Sequence, residues 1–292
     1  MIFVGGTGRS GTTILGEIIA ADEKVIATQQ EVRFITDPGG LLDLYNGLLI
    51  PDFALNDRAI QQFITLYTSA IQGGIFWSLL RFCLSKVGIS SLRYRNLRFK
   101  RAVRKSLKKL LRDFYSDLGI KSVNGIWYGS PSFRFSKIYY ITNHDEAAIR
   151  EKIQKFICGF FTLISNHNMN AHTYFLDDSP TAVLHYRQLH KLFPNSKFVI
   201  ARRSSTNVVN SFKKQTWGKR RTEEDTLKCV QNIDDFINTT IVGENVHFVN
   251  YDNLVSRQKQ ISELNKLSDF LSIPVTKVGK LKLKLNEDGN LS

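Results

Sequence analysis

The chain is poor in cysteine, in acidic residues and in long apolar runs. Three cysteines, Cys83, Cys158 and Cys229, occur in 292 residues. They lie far apart, are odd in number and lack metal-like spacing, which argues against a disulfide framework and against a zinc site. They read as buried, inert thiols of a reducing compartment. The most apolar long stretch, 75–92, is interrupted by Arg81 and Lys86 and does not read as a bilayer span. A chain that opens directly on a strand is expected to carry no signal peptide, so the expected location is the cytoplasm. No internal repeat or low-complexity segment is evident. Asp and Glu together number 26 against 40 Lys and Arg, a formal net charge of +14. That imbalance implies an anionic ligand, an acidic acceptor, nucleic acid or anionic lipid, and charge alone does not choose among them. The 42% hydrophobic and 23% charged content is otherwise that of a soluble globular chain. Its length suffices for one large domain, or one with a sizeable insertion.

What is present is concentrated at the start. Ile2-Phe3-Val4 runs into Gly5 and Gly6, the turn Thr7-Gly8-Arg9-Ser10-Gly11-Thr12-Thr13 follows, and Ile14, Leu15, Ile18 and Ile19 then fall at helical spacing. Strand, glycine-rich turn and helix N-terminus make an oxyanion site, because glycines let backbone N–H groups converge and the helix dipole favours negative charge. The spacing from Gly6 to Gly11 is that of a Walker A loop, but Thr12 stands where that motif requires lysine. The nearest cation is Arg9, within the loop.

Further along, strands are expected at 25–28, 173–176, 197–201 and 246–249, alternating with helical patterns. Ser179 and Pro180 suit the N-cap and first position of one helix, and Thr222 with Asp225 suits a capping box for another. A last helix is expected over 256–271. The stretch 56–168 is mostly helical, broken at Gly73-Gly74, with 137–142 as a short strand or extended loop, and it reads as an insertion or lid. The tail 277–292 is expected to lie loosely on the surface. Five strands alternating with helices argue an α/β fold with a mainly parallel sheet, in a single domain over 1–292 with a helical insertion at about 56–168.

Ligands of open parallel sheets bind beyond the carboxyl ends of the strands. Those ends carry Gly8 to Thr13, Glu31 with Arg33, Asp177-Asp178, Arg202-Arg203 and Tyr251-Asp252. On these residues the chain resembles the sulfotransferases that use 3′-phosphoadenosine-5′-phosphosulfate. It is closer to the carbohydrate, tyrosylprotein and bacterial members than to the cytosolic small-molecule ones. Gly8-Arg9-Ser10-Gly11-Thr12-Thr13 is similar to their 5′-phosphosulfate loop. Lys197 to Arg203, with Ser211 eight residues after Arg203, is similar to their 3′-phosphate element. Phe193-Pro194-Asn195-Ser196, Tyr251-Asp252-Asn253-Leu254 and Phe270 to Pro274 also fit. The stretch 56–168 resembles nothing in the family.

The resemblance implies a P-loop-like three-layer sandwich. It also implies a donor held by Gly8, Arg9, Ser10, Gly11, Thr12, Thr13, Arg203 and Ser211, with adenosine 3′,5′-bisphosphate as its product. Arg9 would neutralise charge on the leaving oxygen and Glu31 would act as general base, although a Glu-x-Arg pair also reads as a simple ion pair with Arg33. A sulfuryl group in transfer carries less negative charge than a phosphoryl group, so fixed cations and N–H donors suffice. This fits the missing P-loop lysine, and no metal is expected. Asp178 departs from the pattern, since relatives often carry lysine there; it reads as a helix cap or as facing the acceptor. None of the six histidines matches the family's histidine base, and structural or surface roles are expected for all of them.

Arg93, Arg95, Arg98, Lys100, Arg101, Arg104, Lys105, Lys108, Lys109 and Arg112 precede the first acid, Asp113, with apolar residues at helical spacing among them. This is an amphipathic helix with a cationic face. It reads as a solvated face, a groove for an anionic glycan or acidic peptide acceptor, a peripheral membrane contact over 93–112, or a nucleic-acid patch, with no motif for specific nucleic-acid recognition. The expected activity is sulfuryl transfer from the phosphosulfate donor to an acceptor hydroxyl, or an amine, on a glycan, glycolipid, peptide or small molecule. The rivals are a P-loop kinase or other nucleotide-binding enzyme, and a non-catalytic basic binding module.

Overall fold

The computed structural model describes residues 1–28, 31–71, 99–125, 136–165, 173–215, 218–256 and 258–275. The chain divides into two compact units, Met1–Glu31 with Met169–Ser292, and Val32–Asn168. The expectations placed on 72–98, on Cys83 and on the tail 277–292 fall outside the described residues.

The first unit is built on a five-stranded sheet. Its strands are β1 (Ile2–Gly6), β2 (Val25–Ala27), β5 (Tyr174–Asp177), β6 (Lys197–Arg202) and β7 (Val246–Asn250), in the order β2-β5-β1-β6-β7. All four pairings are parallel, with Ile2 opposite Lys197 and Gly6 opposite Ala201 in the longest register along β1. Its helices are α1 (Thr12–Ile19), a 3₁₀ turn (Ala182–His185) continuing into α6 (Tyr186–Leu192), α7 (Ser205–Lys213), α8 (Glu223–Thr240), α9 (Tyr251–Leu254) and α10 (Gln260–Leu271).

Side-chain alternation on the central strands explains the layering, since successive residues face opposite sides of a sheet. Ile2, Val4, Val199 and Ala201 pack with Leu15, Ile18 and Ile19 of α1 and with Leu264, Leu267 and Leu271 of α10. On the other face Phe3 stacks on Phe198 at 5.3 Å, with Phe193 and Tyr186 closing over the pair. Strands buried on both faces read as unbroken apolar runs, which is how β1 and β6 look in the sequence. Helices therefore cover both faces of one parallel sheet, the three-layer α/β arrangement expected.

The second unit holds α2 (Leu41–Leu49), α3 (Phe53–Ile71), α4 (Arg101–Leu118), the antiparallel hairpin β3 (Lys121–Gly125) with β4 (Ser136–Tyr140), and α5 (Glu146–Ser165). Aromatic rings fill its core: Phe34, Phe63, Tyr67, Phe114, Phe156 and Phe160 pack edge-to-face or stacked, Phe114 on Phe156 at 4.4 Å. The buried Tyr67 hydroxyl donates to the Leu107 carbonyl at 3.2 Å. Buried Asp57 accepts from the Tyr139 N–H and from Gln61, tying α3 to β4.

Three local expectations need correction. Ser179 and Pro180 do not open a helix: the Ser179 hydroxyl donates back to Asp177 at 2.6 Å, and the helical turn begins after Thr181. A carboxylate two residues upstream outcompeted the helix end for that hydroxyl. Cys229 is exposed on α8 and Cys158 is half-buried, so the described thiols are not core residues. The strand β3 had no signal, because its residues are polar and exposed and lack the alternation a half-buried strand shows. The Thr222 cap holds: its oxygen accepts from the Asp225 N–H at 3.1 Å, while its hydroxyl donates to the Asp225 carboxylate at 2.7 Å.

Candidate active site

The loop after β1 is shaped by glycines at positions no other residue can fill. A side chain on Gly6 would lie 2.5 Å from the Ser10 Oγ and 2.6 Å from the Ala201 carbonyl oxygen, so glycine is what lets the loop fold back over the strand end. Gly11, the residue before α1, has φ of 100° and lies under the Tyr251 ring, which a β-carbon would overlap. Gly8, Arg9 and Gly11 all have positive φ. For Arg9, at φ 58°, the left-handed conformation costs about 1–2 kcal/mol.

Two contacts, from the end of the adjacent strand β6 and from α7 after it, hold that residue. The Arg203 Nη1 donates to the Arg9 carbonyl at 3.3 Å, and the Arg9 Nε donates to the Ser211 Oγ at 3.2 Å. Hydrogen bonds from charged donors contribute about 1.5–3 kcal/mol each, enough to offset the backbone cost. The two elements expected from the sequence to bind anions, about 200 residues apart in the chain, are thus hydrogen-bonded to each other at the carboxyl ends of β1 and β6. The guanidinium of Arg203 lies 4.6 Å over the Tyr251 ring, a cation–π shelf that fixes its plane. Burial pushes the Tyr251 hydroxyl up, against the pull of Arg203. Arg202, one residue earlier, turns the other way onto the Phe248 ring at 4.0 Å and bonds Asn238 of α8. Alternation at the strand end therefore selects Arg203 for the site.

Two buried donors in this cluster have no hydrogen-bond partner, the Ser10 Oγ and the Arg203 Nε. Leaving such a group buried and unpaired costs about 1–3 kcal/mol. Both belong to residues already turned toward the loop, and an oxyanion would satisfy them. The hydroxyl of Thr12 is also buried, whereas Thr13 is exposed.

Carboxylates gather at the ends of β5 and β2. Asp177 is fully buried; its Oδ1 accepts the Ser179 N–H and hydroxyl, and its Oδ2 has no partner. Burial, reinforced by Asp178 and Glu31, pushes its pKa up to about 7 despite the Ser179 bonds. Asp178 is raised to about 6 by burial first and then by Glu31. It does not cap the following helix. Its side chain packs on Gly16 of α1, where a β-carbon would meet Oδ2 at 2.9 Å. Glu31, four residues beyond β2, is thus electrostatically close to both aspartates. Among the described residues no group of His, Cys, Asp and Glu is arranged to hold a metal ion.

The sequence reading named Arg9, Ser10, Arg203, Ser211 and Glu31, and did not assign Tyr251 its part. The pairing of Tyr251 with Gly11 had no sequence signal beyond its place after the last strand. Among the described histidines, the His144 Nδ1 lies 2.7 Å from the Leu48 carbonyl and His190 stacks on Tyr186, while His247 stacks on Phe270 with a buried, unpartnered Nε2 and a pKa lowered by burial.

An arginine-bearing, glycine-rich loop and an arginine–serine element thus face each other at the carboxyl end of a parallel α/β sheet. The sequence pattern of the Sulfotransferase family matches residues 93–277, well over half of the chain. The chain belongs to the sulfotransferase family, a family of transferases. The match opens at residue 93, so the family's pattern includes α4, β3, β4 and α5, stretches in which no likeness was expected. No curated protein matches. Among solved structures, the sulfotransferase domain from the curacin biosynthetic pathway aligns over 94% of this chain and 74% of its own, at 17% identity and a TM-score of 0.44.

Proposed function

We propose that the chain transfers a sulfuryl group from 3′-phosphoadenosine-5′-phosphosulfate to an acceptor hydroxyl, or to an amine. The observation that carries this reading is the joining of the loop to the β6–α7 element through Arg9, Ser211 and Arg203, with the unpaired Ser10 and Arg203 donors beside it. A donor with phosphates at both ends of its ribose fits two such elements. Gly8 to Thr13 hold the 5′ end, and Arg203 with Ser211 holds the 3′-phosphate, the arginine by its fork of donors. When bound, the donor supplies the sulfuryl group on a phosphate leaving group. Arg9 neutralises the charge that builds on the departing oxygen, and Ser211 keeps its guanidinium in place. Glu31 takes the acceptor proton as the new O–S bond forms.

The test is thermal stabilisation. Adenosine 3′,5′-bisphosphate without metal is expected to raise the melting temperature by about 5 °C at 100-fold excess over its Kd. Stabilisation by ATP with Mg²⁺ and none by the bisphosphate would identify a kinase-like enzyme instead. Glu31→Gln should bind the bisphosphate normally and lose turnover; full turnover by that variant removes Glu31 as base.

A further inference from the structure

The cations of α4 are not spread evenly around the helix. Arg101, Lys105, Lys108 and Arg112 follow one another at intervals of four, three and four residues. At about 100° per residue they fall within an arc of roughly 60°, and the row is about 16 Å long. All four are exposed. The acids of this helix lie off the row and are already engaged, Asp113 with Lys109 at 2.6 Å and Asp117 with Lys155 of α5 at 2.8 Å. Among the described residues no carboxylate pairs with any of the four.

The opposite side of the helix is committed. Leu107, Leu111, Phe114 and Leu118 are buried, Phe114 stacks on Phe156, and Leu110 packs on Gly159 of α5. A membrane-surface helix needs a free apolar face to sink into the bilayer, and α4 has none to offer. Single-stranded nucleic acid needs exposed aromatic platforms. Here Phe114 is buried and Tyr115 is half-buried with its hydroxyl buried. What remains is a straight row, one unpaired charge wide, flanked by Lys109, which Asp113 already holds. A row of this width meets a chain whose own charges form a single line. It meets less of a flat bilayer or a two-stranded cylinder.

We propose that the Arg101–Lys105–Lys108–Arg112 row is a binding surface for a linear polyanionic glycan, one bearing sulfate or carboxylate groups. The two arginines at the ends of the row engage such groups through paired N–H donors, and the two lysines between them act as point charges. The inference concerns binding by the second unit and is independent of the donor site.

The experiment uses the full chain and size-defined heparin oligosaccharides, with affinity measured against salt. The variant Arg101→Gln/Lys105→Gln/Lys108→Gln/Arg112→Gln keeps helix propensity and removes four charges. Its helicity is checked by circular dichroism. Exposed contacts of this kind are each worth roughly two- to fivefold, so four of them lost together should lower affinity about 15-fold or more. The slope of log affinity against log salt should flatten by about three to four ions. A control, Lys214→Gln/Lys228→Gln/Lys259→Gln/Lys266→Gln, removes the same charge from exposed positions of the first unit and should change affinity by less than about threefold. Adenosine bisphosphate binding should be unaffected by the α4 variant, which separates this surface from the donor site. Equal losses in the two quadruple variants would show that net charge alone binds the glycan and would overturn the proposal. So would tighter binding of a DNA duplex or of anionic vesicles than of the oligosaccharide at equal salt, or no glycan binding by the wild-type chain at physiological salt.

Discussion

Asp177→Asn is expected to stabilise the protein, and to do so only as the pH rises. The carboxyl is fully buried, one oxygen has no partner, and its pKa stands at about 7 against an ordinary 3.8. A folded-state pKa raised in this way means that the fold prefers the protonated form. The favourable contribution is complete below about pH 4 and is lost progressively as pH rises toward about 7. Three pH units correspond to about 4 kcal/mol at the upper limit. Asparagine never ionises, and its oxygen still accepts from the Ser179 N–H and hydroxyl. Its amide hydrogens inherit the unpartnered position of Oδ2, a cost of about 1–3 kcal/mol that does not vary with pH. The diagnostic is therefore the slope. Between pH 5 and pH 8 the stability of Asp177→Asn relative to wild type should rise by about 2–3 kcal/mol, read from urea midpoints of the two proteins. The groups facing this carboxyl are Asp178, Glu31 and Ser179; burial outweighs them all, the two carboxylates raising the Asp177 pKa further and the Ser179 bonds lowering it. Parallel pH profiles for the two proteins would refute the reasoning, because they would mean that Asp177 ionises in the fold as easily as in the unfolded chain.

Two further outcomes follow from the loop. Arg203→Lys keeps the charge but loses the planar stack on Tyr251 and the Nη1 bond to the Arg9 carbonyl, so bisphosphate affinity measured by calorimetry should fall about 10- to 100-fold. Unchanged affinity would mean that any cation at this position serves. Gly11→Ala places a methyl group against the Tyr251 ring in a left-handed backbone, and should lower stability by about 2 kcal/mol or more and abolish the bisphosphate-induced rise in melting temperature.

Much of the fold was legible because its signals are local. The apolar runs of β1 and β6, the glycines at 5, 6, 8 and 11, and the Thr222 cap depend on residues within a few positions of one another, and each sits where the periodicity placed it. The hairpin strand β3 was not legible, since an exposed polar strand carries no burial pattern. The turn at Ser179 misled because hydroxyl, carboxylate and helix end compete for the same hydrogen bonds, and sequence does not rank them.

The sequence by itself determined that a glycine-rich loop follows the first strand, that its cation is Arg9 rather than a lysine at position 12, and that an arginine and a serine follow a later strand. Only the tertiary structure decided how these meet. The order β2-β5-β1-β6-β7 puts β6 beside β1, and this brings Arg203 to the Arg9 carbonyl and Ser211 to the Arg9 guanidinium. It also separated Arg203 from Arg202, laid Tyr251 over Gly11, and drew Asp178 onto Gly16 beside Glu31. The physical reason is one of range. Backbone conformation answers to neighbours in the chain, while the charge and packing around each site residue come from partners up to about 200 positions away, whose arrival is fixed by the sheet.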